Sequence, residues 1–550
     1  MSSTELVLGP LLRHVGERDA TVWVETDAPC EVEVLGSRSA TFEVAGHHYA
    51  LLVIEGLDPG GEHPYEVTLD GRRAWPPAGW PYPASSIRTL QPGSEVRLSF
   101  GSCRVSAPHE PPWCLPKDEH TEGREIDALV ALAERMRHEP SDLWPHLLLF
   151  LGDQVYADQV SPAAEEFIRS RRSTRGEHGT EVADFEEYTR LYWESWSEPA
   201  VRWVLSTVAS AMIFDDHDVH DDWNTSDAWR AKVAGEGWWR ERIAGAFMSY
   251  WIYQHVGNLS VADLRRDELF ARVSAGGDAA PLLHEFALHA DRDPAGSRWS
   301  FRRDLGTTRL VVIDSRAGRV LAPGARDMLD AQEWSWLDEQ LTGDVDHLLI
   351  ATSLPFLLGG GMHDLEAWNE AVCRGAWGPR AARWAERMRQ ALDLEHWAAF
   401  ERSFRRLAGI VQDVGAGRRG RAPCSIVFLS GDVHHAYLAE VSTPDQAPAH
   451  TPILQAVCSP FRNPLDAREQ RVIRAALSRP AAVGARALAR AAGVEAPPFR
   501  WRLTAGPWFD NQVATLTLDG PSSRLAIDRA PATYPAPPRL ETVLDRTLGP

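Results

Sequence analysis

The chain has 550 residues, of which 44% are hydrophobic and 24% are charged, a composition that excludes a wholly disordered protein and predicts two or three domains. Its 57 basic and 77 acidic residues give a net charge of −20, so a nucleic-acid coat or an anionic membrane surface is not the expected partner of the chain as a whole. No apolar run is long enough for a transmembrane segment, the N-terminus lacks the pattern of a signal peptide, and the six cysteines are scattered. We therefore expect a cytoplasmic protein without disulfides.

Residues 1–92 are predicted to form an all-β domain. Short alternating runs at 20–25, 31–35 and 65–69 are separated by turn residues, a pattern typical of a small β-sandwich. The proline-rich segment 75–83 is predicted to be the linker to the next domain.

From residue 93 onward, short apolar runs end abruptly in polar residues. These are 147–151 before Asp153, 211–214 before Asp215, 310–313 before Asp314 and 426–429 before Asp432. Periodicity alone allows buried strands or helix fragments, but a helical pattern at 126–136 favours the strands of an α/β layered fold. Because the carboxyl ends of such strands line the binding crevice, we expect the polar residues to gather there.

The residue types at these strand ends are those of metal ligands. Cys103 offers a thiolate and Tyr156 a phenolate, which suit ferric iron, while the carboxylates suit Ca²⁺, Mg²⁺ or Mn²⁺. Two ions bridged by one carboxylate form the usual clamp for phosphoester hydrolysis. Each motif alone is more often a turn or a core residue, but the strand ends together predict a metal site.

Four motifs in this order resemble those of the alkaline phosphatase D (PhoD-like) family of the calcineurin-like metallophosphoesterase superfamily. They are FGSCR at 100–104, LGDQVY at 151–156, FDDHD at 214–218 and SGDVH at 430–434. The resemblance covers roughly 95–465, and the N-terminal domain is similar to the family's fibronectin type III-like domain. It implies an α/β fold, a four-layer αββα sandwich over 93–465, with 466–550 packing on it as a helical segment and strands.

The resemblance also implies site residues. Cys103, Asp153 and Tyr156 are expected to bind Fe³⁺, with Asp153 bridging to Ca²⁺ or another divalent ion. The further expected ligands are Asp216, Asp221, Asp432 and His434. His217 is the candidate to protonate the leaving group or hold the phosphate.

Two positions depart from the family's pattern. Asp221 stands where many members have asparagine, and segment 250–258 lacks an arginine for the substrate phosphate. Arg104 and Arg316 are the substitutes expected to bind substrate, although either could be a structural ion-pair partner.

The sequence thus predicts a metal-dependent phosphoesterase that hydrolyses monoesters, diesters or both of a small phosphorylated substrate with metal-activated water. Two alternatives stay open, a phospholipase D-like phosphodiesterase and a non-catalytic binding protein with a structural metal.

Three further features have two interpretations each. The tryptophans of 190–251 form either helix core or an aromatic wall, and the segment after Gly359–Gly361 is a lid or a plain loop. The arginine-rich segment 466–502 is a solvated helix face or a surface that docks an acidic partner.

Overall fold

The computed structural model describes residues 4–176, 178–442 and 451–549. The strands are β1 (Leu6–Val15), β2 (Asp19–Thr26), β3 (Glu31–Val34), β4 (Ser37–Ala40), β5 (Phe42–Val44), β6 (His47–Glu55), β7 (Glu62–Pro64), β8 (Val67–Leu69), β9 (Arg72–Trp75), β10 (Ser86–Arg88), β11 (Val96–Gly101), β12 (Leu147–Leu151), β13 (Ala209–Ile213), β14 (Phe301–Leu305), β15 (Thr308–Ile313), β16 (His347–Thr352), β17 (Ser425–Ser430), β18 (Ala436–Ser442), β19 (Ile453–Val457), β20 (Arg500–Trp508), β21 (Gln512–Asp519), β22 (Ser522–Arg529) and β23 (Glu541–Thr547).

The α-helices are α1 (Ala128–His138), α2 (Pro162–Arg171), α3 (Phe185–Trp196), α4 (Pro199–Thr207), α5 (Asp227–Ala234), α6 (Trp239–Ser249), α7 (Val261–Leu264), α8 (Glu268–Val273), α9 (Ala280–Arg292), α10 (Ala331–Gln340), α11 (Gly360–Cys373), α12 (Pro379–Ala391), α13 (Glu401–Gly415), α14 (Ala467–Ala476) and α15 (Arg479–Ala491). Helix α6 continues into a π-helix over Tyr250–His255.

The N-terminal region is an all-β domain, as predicted. Two four-stranded sheets have the orders β1-β2-β6-β5 and β4-β3-β8-β9, and β7 pairs with β10. Strand β10 lies beyond the segment predicted as the linker, so the domain continues to Arg88 before the first central strand begins at Val96. The proline-rich segment packs between the domains, where Tyr82 stacks on Trp203 with ring centroids 5.1 Å apart.

The remaining strands form two packed sheets, which confirms the predicted αββα sandwich. The six-stranded sheet has the order β13-β12-β11-β21-β22-β23 and the seven-stranded sheet the order β14-β15-β16-β17-β19-β18-β20. In β15, Leu310 and Val312 enter the core shared by both sheets, while Val311 and Ile313 enter a second core with α10 and α13. On the other sheet, α1 contacts β21 and α4 contacts β13. Alternate side chains therefore separate the four layers.

The C-terminal segment is part of the sandwich. Strand β20 pairs with β18, and β21 pairs antiparallel with β11 so that Leu516 lies opposite Leu98. Three of the six strands in one central sheet thus follow residue 465. The predicted boundary at 465 is corrected, because 466–550 completes both sheets instead of packing onto a finished domain.

Most of the tryptophans in 190–251 are helix core. The buried members are Trp196, Trp203, Trp223, Trp229, Trp239 and Trp251. The large rings fill the space between the helices that cover the sandwich, which favours the core interpretation over an aromatic wall.

The segment after Gly359 is a packed helix and not a loop or an open lid. Helix α11 begins at Gly360. The His363 ring lies against Phe404 and Trp501, with both pairs of ring centroids 4.7 Å apart. A side chain held between two aromatic rings fixes the start of this helix.

Buried arginines join the N-terminal and catalytic domains. Arg13 of β1 donates from Nη2 to the Gln254 carbonyl at 2.6 Å. Arg303 of β14 donates to the carbonyls of Arg13 at 3.0 Å and Gly257 at 2.8 Å. A Cβ on Gly257 would lie 2.1 Å from Arg13 Nε, so this close approach requires glycine.

We expect the stability of the domain interface to fall as the pH rises, because of His47. Its Nδ1 lies 2.9 Å from Glu25 Oε1, and its Nε2 lies 2.9 Å from Glu186 Oε2 of α3. Burial alone would lower the pKa of His47, but the two carboxylates outweigh burial and raise it from 6.5 to about 9. The charged form stabilises the fold fully below pH 6.5, and this contribution is lost as the pH rises through about 9.

Urea unfolding at pH 6 and pH 9.5 measures this contribution. Over this pH range, we expect the free energy of unfolding to fall by about 1–2 kcal/mol more in the unchanged protein than in the His47→Gln variant. The difference is this small because Glu186 is partly solvent-exposed. An identical loss in both proteins would contradict the assignment.

Candidate active site

The carboxyl ends of the parallel strands of both sheets meet at one edge of the sandwich. Strands β11, β12 and β13 run parallel in one sheet, and β15, β16, β17 and β19 in the other. Two glycines allow the strand ends to approach closely. A Cβ on Gly431 would lie 2.2 Å from Ser102 Oγ of the other sheet, and one on Gly152 would lie 2.4 Å from Asp215 Cβ.

Four of the predicted metal ligands have left-handed backbone conformations at these strand ends. The φ angles are 54° at Cys103, 50° at Asp153, 65° at Asp432 and 50° at His434. Residues with a Cβ rarely adopt this conformation, and such strained positions concentrate at functional sites. The backbone therefore turns sharply at each of these four candidate ligands, close to the end of the preceding strand.

Asp218 fixes the loop that carries Asp153. Its carboxylate accepts hydrogen bonds from the backbone N–H groups of Asp153 (3.1 Å), Gln154 (3.0 Å), Val155 (3.2 Å) and Asp215 (2.9 Å). Burial raises the pKa of Asp218 to about 7 despite these four donors. Within the acidic run, this residue is a structural anchor.

The acidic run and the neighbouring strand ends form three compact groups of candidate ligand atoms. These are Asp153, Asp216 and His217; Asp215, Asp216 and Asp432; and Asp158, His217 and Asp221, with the ligand atoms of each group within 4.8 Å of one another. Asp216 belongs to both of the first two groups, which lie deepest, whereas the sequence predicted Asp153 as the bridging residue.

Two buried oxygens in these groups are unsatisfied. Among the described residues, Oδ1 of Asp153 and Oδ2 of Asp215 have no hydrogen-bond partner. Burial raises the pKa of Asp153 well above its ordinary value, and the nearby carboxylates of Asp216, Asp218 and Asp432 raise it further. A cation would satisfy these oxygens and reverse that shift, so the residues present fit a metal site.

The thiol and phenol lie beside the carboxylates. Cys103 Sγ lies 3.5 Å from the Asp432 carbonyl oxygen, and Tyr156 OH lies 3.4 Å from Asp153 Oδ2. Burial and the nearby carboxylates raise the pKa of both groups above their ordinary values. His434 contacts the Asn463 carbonyl through Nδ1 at 2.9 Å, which leaves Nε2 available.

His217 is held in place by a carboxylate. Its Nδ1 lies 2.9 Å from Asp158 Oδ1, and its ring lies 4.6 Å from that of Tyr156. Burial alone would lower the pKa of His217, but the carboxylates of Asp216 and Asp158 outweigh it and raise the pKa well above 6.5. Asp221 is half-exposed, with Oδ1 3.8 Å from His217 Nε2, and therefore lies at the rim.

Arg316 lies inside the acidic cluster. Its guanidinium is fully buried and contacts Asp215 and Glu395, with Nη2 3.3 Å from Asp216 Oδ1 and 3.8 Å from Asp432 Oδ1. A fully buried cation among four carboxylates acts as their counter-charge. The structure thus does not support the substrate-binding role predicted for Arg316.

Arg104 also makes buried structural contacts. Its Nε donates to Asp127 Oδ2 at 2.9 Å and its Nη1 to the Ser195 carbonyl at 2.6 Å. Arg104 is therefore an ion-pair partner within the protein, and it also lines a cavity beside Tyr156 and Gln154.

Comparison with protein families identifies the catalytic region. Residues 130–487 match the PhoD-like phosphatase family, and residues 3–87 match a domain of unknown function, DUF7800. The chain belongs to the PhoD-like phosphatase family. This membership, predicted from the four motifs, indicates a metal-dependent hydrolase of phosphoric esters.

A solved structure of PhoD shares the fold, and a second solved structure shows a weaker similarity. A structure of PhoD is 13% identical with a TM-score of 0.60, over 100% of this chain and 91% of that one. The purple acid phosphatase PPD1 from yellow lupin (Lupinus luteus) seeds is 10% identical with a TM-score of 0.47, over 98% of this chain and 74% of that one. No curated protein matches the chain in sequence.

Within this PhoD-like site, the sequence did not reveal His396. Its Nε2 lies 3.2 Å from Asp432 Oδ2 and its Nδ1 lies 2.7 Å from Glu366 Oε1, and both His396 and Glu366 are buried. The two residues precede Asp432 in separate segments, without a strand-end motif. Glu395, Asp158 and Asn463 were also missed, because none of them directly follows an apolar run. The only sequence signal for this part of the site was the largely polar stretch Asp393–His396 after α12.

We expect His396→Gln to weaken metal binding by about 10- to 100-fold, because a residue that hydrogen-bonds a ligand orients it. Titration of the metal-free PhoD-like protein, followed by calorimetry, measures this change. The matched control is His347→Gln, a buried histidine at the opposite end of β16 that bonds Ser425 and the Gly520 carbonyl. Equal metal affinity in both variants would contradict the role of His396.

Proposed function

We propose that the protein is a two-metal phosphoesterase that holds Fe³⁺ and a divalent ion and hydrolyses phosphate monoesters, diesters or both. The observation that carries this proposal is the pair of ligand groups that share Asp216. Two adjacent groups with one common carboxylate are the arrangement that a bridged pair of ions requires.

The donor types divide between the two ions. Cys103, Tyr156, Asp153 and His434 offer sulfur, phenolic oxygen, carboxylate and imidazole, which suit iron. Asp216 and Asp432 offer carboxylates for Ca²⁺, Mn²⁺ or Mg²⁺. When bound, the metal pair would supply Lewis acidity that activates water and withdraws charge from the phosphoryl oxygens.

The chain itself supplies the proton. His217 is held by Asp158 on one nitrogen, and the carboxylates of Asp216 and Asp158 raise the pKa of its imidazole well above 6.5. The same imidazole lies in one group of candidate ligand atoms with Asp153 and Asp216. This geometry supports a role in which His217 donates a proton to the oxygen of the departing alcohol.

A cavity of about 360 Å³ beside the site supports an organic leaving group. Its lining includes Tyr156 and Gln154 of the site loop together with Arg104, Trp113 and Arg124. Such a space accommodates more than a phosphate group, which favours an ester with a sizeable alcohol. The cavity also supports the second candidate, a phospholipase D-like phosphodiesterase.

We also place the protein in a reducing compartment, the cytoplasm. All six cysteines are free, and Cys103, Cys114 and Cys458 are buried. Buried thiols that form no disulfide bond are consistent with a compartment that keeps cysteine reduced. Among the described residues, no helix has the length and apolar character needed to cross a membrane.

Metal analysis together with turnover of two esters tests the proposal. We expect purified protein to contain iron and a divalent ion, to show a visible charge-transfer band, and to hydrolyse p-nitrophenyl phosphate or bis-p-nitrophenyl phosphate. Colourless active protein with zinc alone would overturn the iron assignment. Fully metal-loaded protein that turns over neither ester would favour a non-catalytic binding protein.

A further inference from the structure

Helices α11, α12 and α15 form a small unit outside the two cores of the sandwich. Trp368, Val372, Ala385 and Ala489 make its own apolar cluster. The outward faces of α12 and α15 are exposed and are called here the basic helical surface. These faces have no covering element among the described residues.

On α12 the exposed face combines arginines with a tryptophan. Arg380, Arg383, Trp384 and Arg387 follow the spacing i, i+3, i+4, i+7 and therefore share one face of the helix. The Trp384 side chain is 55% exposed, and Leu392 just after the helix is 56% exposed. Such an amphipathic mixture is unusual for a face in contact only with water.

On α15 the exposed face is mainly apolar. It carries Val483 and Leu488, with Val483 71% exposed, between Arg479 and Arg490 near the two ends of the helix. The Trp377 indole N–H donates to the Ala491 carbonyl at 3.2 Å and so connects the start of α12 with the end of α15. Both helices also pack on α11, so the two exposed faces belong to the same helical unit.

The arginines of this surface have no counter-charge. Among the described residues, no carboxylate pairs with the five exposed members, which are Arg380, Arg383, Arg387, Arg479 and Arg490. Some exposed arginines elsewhere on the protein, such as Arg265 and Arg524, are paired with acids, whereas this surface gathers five unpaired ones. A local cluster of free positive charge in a protein of net charge −20 calls for an anionic partner.

We propose that the basic helical surface docks on an anionic phospholipid bilayer, with α12 and α15 lying in the plane of the interface. The exposed Trp384, Val483 and Leu488 enter the boundary of the acyl chains, while the arginines contact lipid phosphates. A nucleic acid would use the arginines but gain nothing from the aliphatic side chains. This inference is independent of the proposed catalytic function.

The docked surface adjoins the candidate site. Helix α12 ends at Ala391, and the segment that follows it carries Asp393, which faces Asp222, and His396, which contacts Asp432. Binding to a bilayer would therefore bring the PhoD-like site close to the lipid surface.

Vesicle sedimentation with the full-length protein tests the proposal. We expect binding to equimolar phosphatidylcholine–phosphatidylglycerol vesicles, little binding to pure phosphatidylcholine, and loss of binding at high salt. The triple variant Arg380→Ser, Arg383→Ser, Arg387→Ser should bind anionic vesicles about 100-fold more weakly. Trp384→Ser should weaken binding without removing its salt dependence.

The matched control is a triple serine variant of Arg38, Arg73 and Arg266, which are exposed but lie on other elements. It should bind vesicles like the unchanged protein, and turnover of a soluble nitrophenyl ester should be equal in all variants if they fold. No binding to anionic vesicles would overturn the proposal, and so would equal weakening by the two triple variants. Binding to a DNA duplex in place of vesicles, or a dimer lost in Trp384→Ser, would also overturn it.

Discussion

Asp153→Asn should lose at least one metal ion and lower kcat/KM by about 10³-fold or more, which corresponds to about 4 kcal/mol of transition-state stabilisation. Asp153 follows strand β12 in a left-handed conformation, and its buried Oδ1 has no hydrogen-bond partner in the part of the chain that the structure describes. Asparagine keeps the size of the side chain but removes its charge and one metal-binding oxygen. Elemental analysis and steady-state kinetics measure the two effects.

Asp222→Asn is the matched control, because Asp222 also has a positive φ, 62° against 50° at Asp153. Burial and a hydrogen bond with Asp393 raise the pKa of Asp222 to about 9, and Asp222 belongs to none of the groups of candidate ligand atoms found among the described residues. We expect a change in kcat/KM below about tenfold. Full metal content and near-normal turnover in Asp153→Asn would show that the two-metal interpretation is wrong.

Arg316→Met should lower the free energy of unfolding by about 3–5 kcal/mol, because it leaves buried carboxylates without their counter-charge. Burial alone would raise the pKa of Glu395, but Arg316 and Arg319 outweigh it and lower the pKa to about 2. Removal of Arg316 would therefore leave the buried Glu395 carboxylate with less counter-charge, which destabilises the folded protein. Urea unfolding of the purified protein measures the change.

Arg421→Met is the control for this experiment. Arg421 is exposed and pairs with Asp346 at 3.0 Å, so its loss should cost less than about 1 kcal/mol. An unchanged urea midpoint in Arg316→Met would contradict the counter-charge assignment and would restore the predicted substrate contact as the simplest role of Arg316.

The strand-end residues could be predicted because the signal is local. A run such as 147–151 followed by Gly152-Asp153 shows both a buried strand and the polar residue at its carboxyl end. In a parallel sheet, that information is enough to bring Cys103 and Asp153 to one edge, and the packing of the second sheet brings Asp432 beside them. The α/β class followed from the same runs, whereas the four-layer sandwich followed from the family resemblance.

Contacts between distant segments could not be predicted in this way. His396 reaches Asp432 from a loop between helices, and Arg316 turns inward to Asp215 instead of outward to a substrate. The boundary at 465 failed for a related reason, because the alternating pattern of β21 is the same whether it joins a central sheet or a separate one. Side-chain direction also decided that Asp216 is the residue shared by both ligand groups.

The left-handed backbone conformations at Cys103, Asp153, Asp432 and His434 position candidate ligands but destabilise the fold. Each such residue costs on the order of 1 kcal/mol or more, so the four together consume a sizeable share of the 5–15 kcal/mol by which a typical domain is stable. Substitutions that relieve this backbone strain, such as His434→Gly, would raise the free energy of unfolding while removing a candidate ligand. A laboratory selection for heat resistance alone would therefore drift toward durable but inactive variants, unless turnover is selected at the same time.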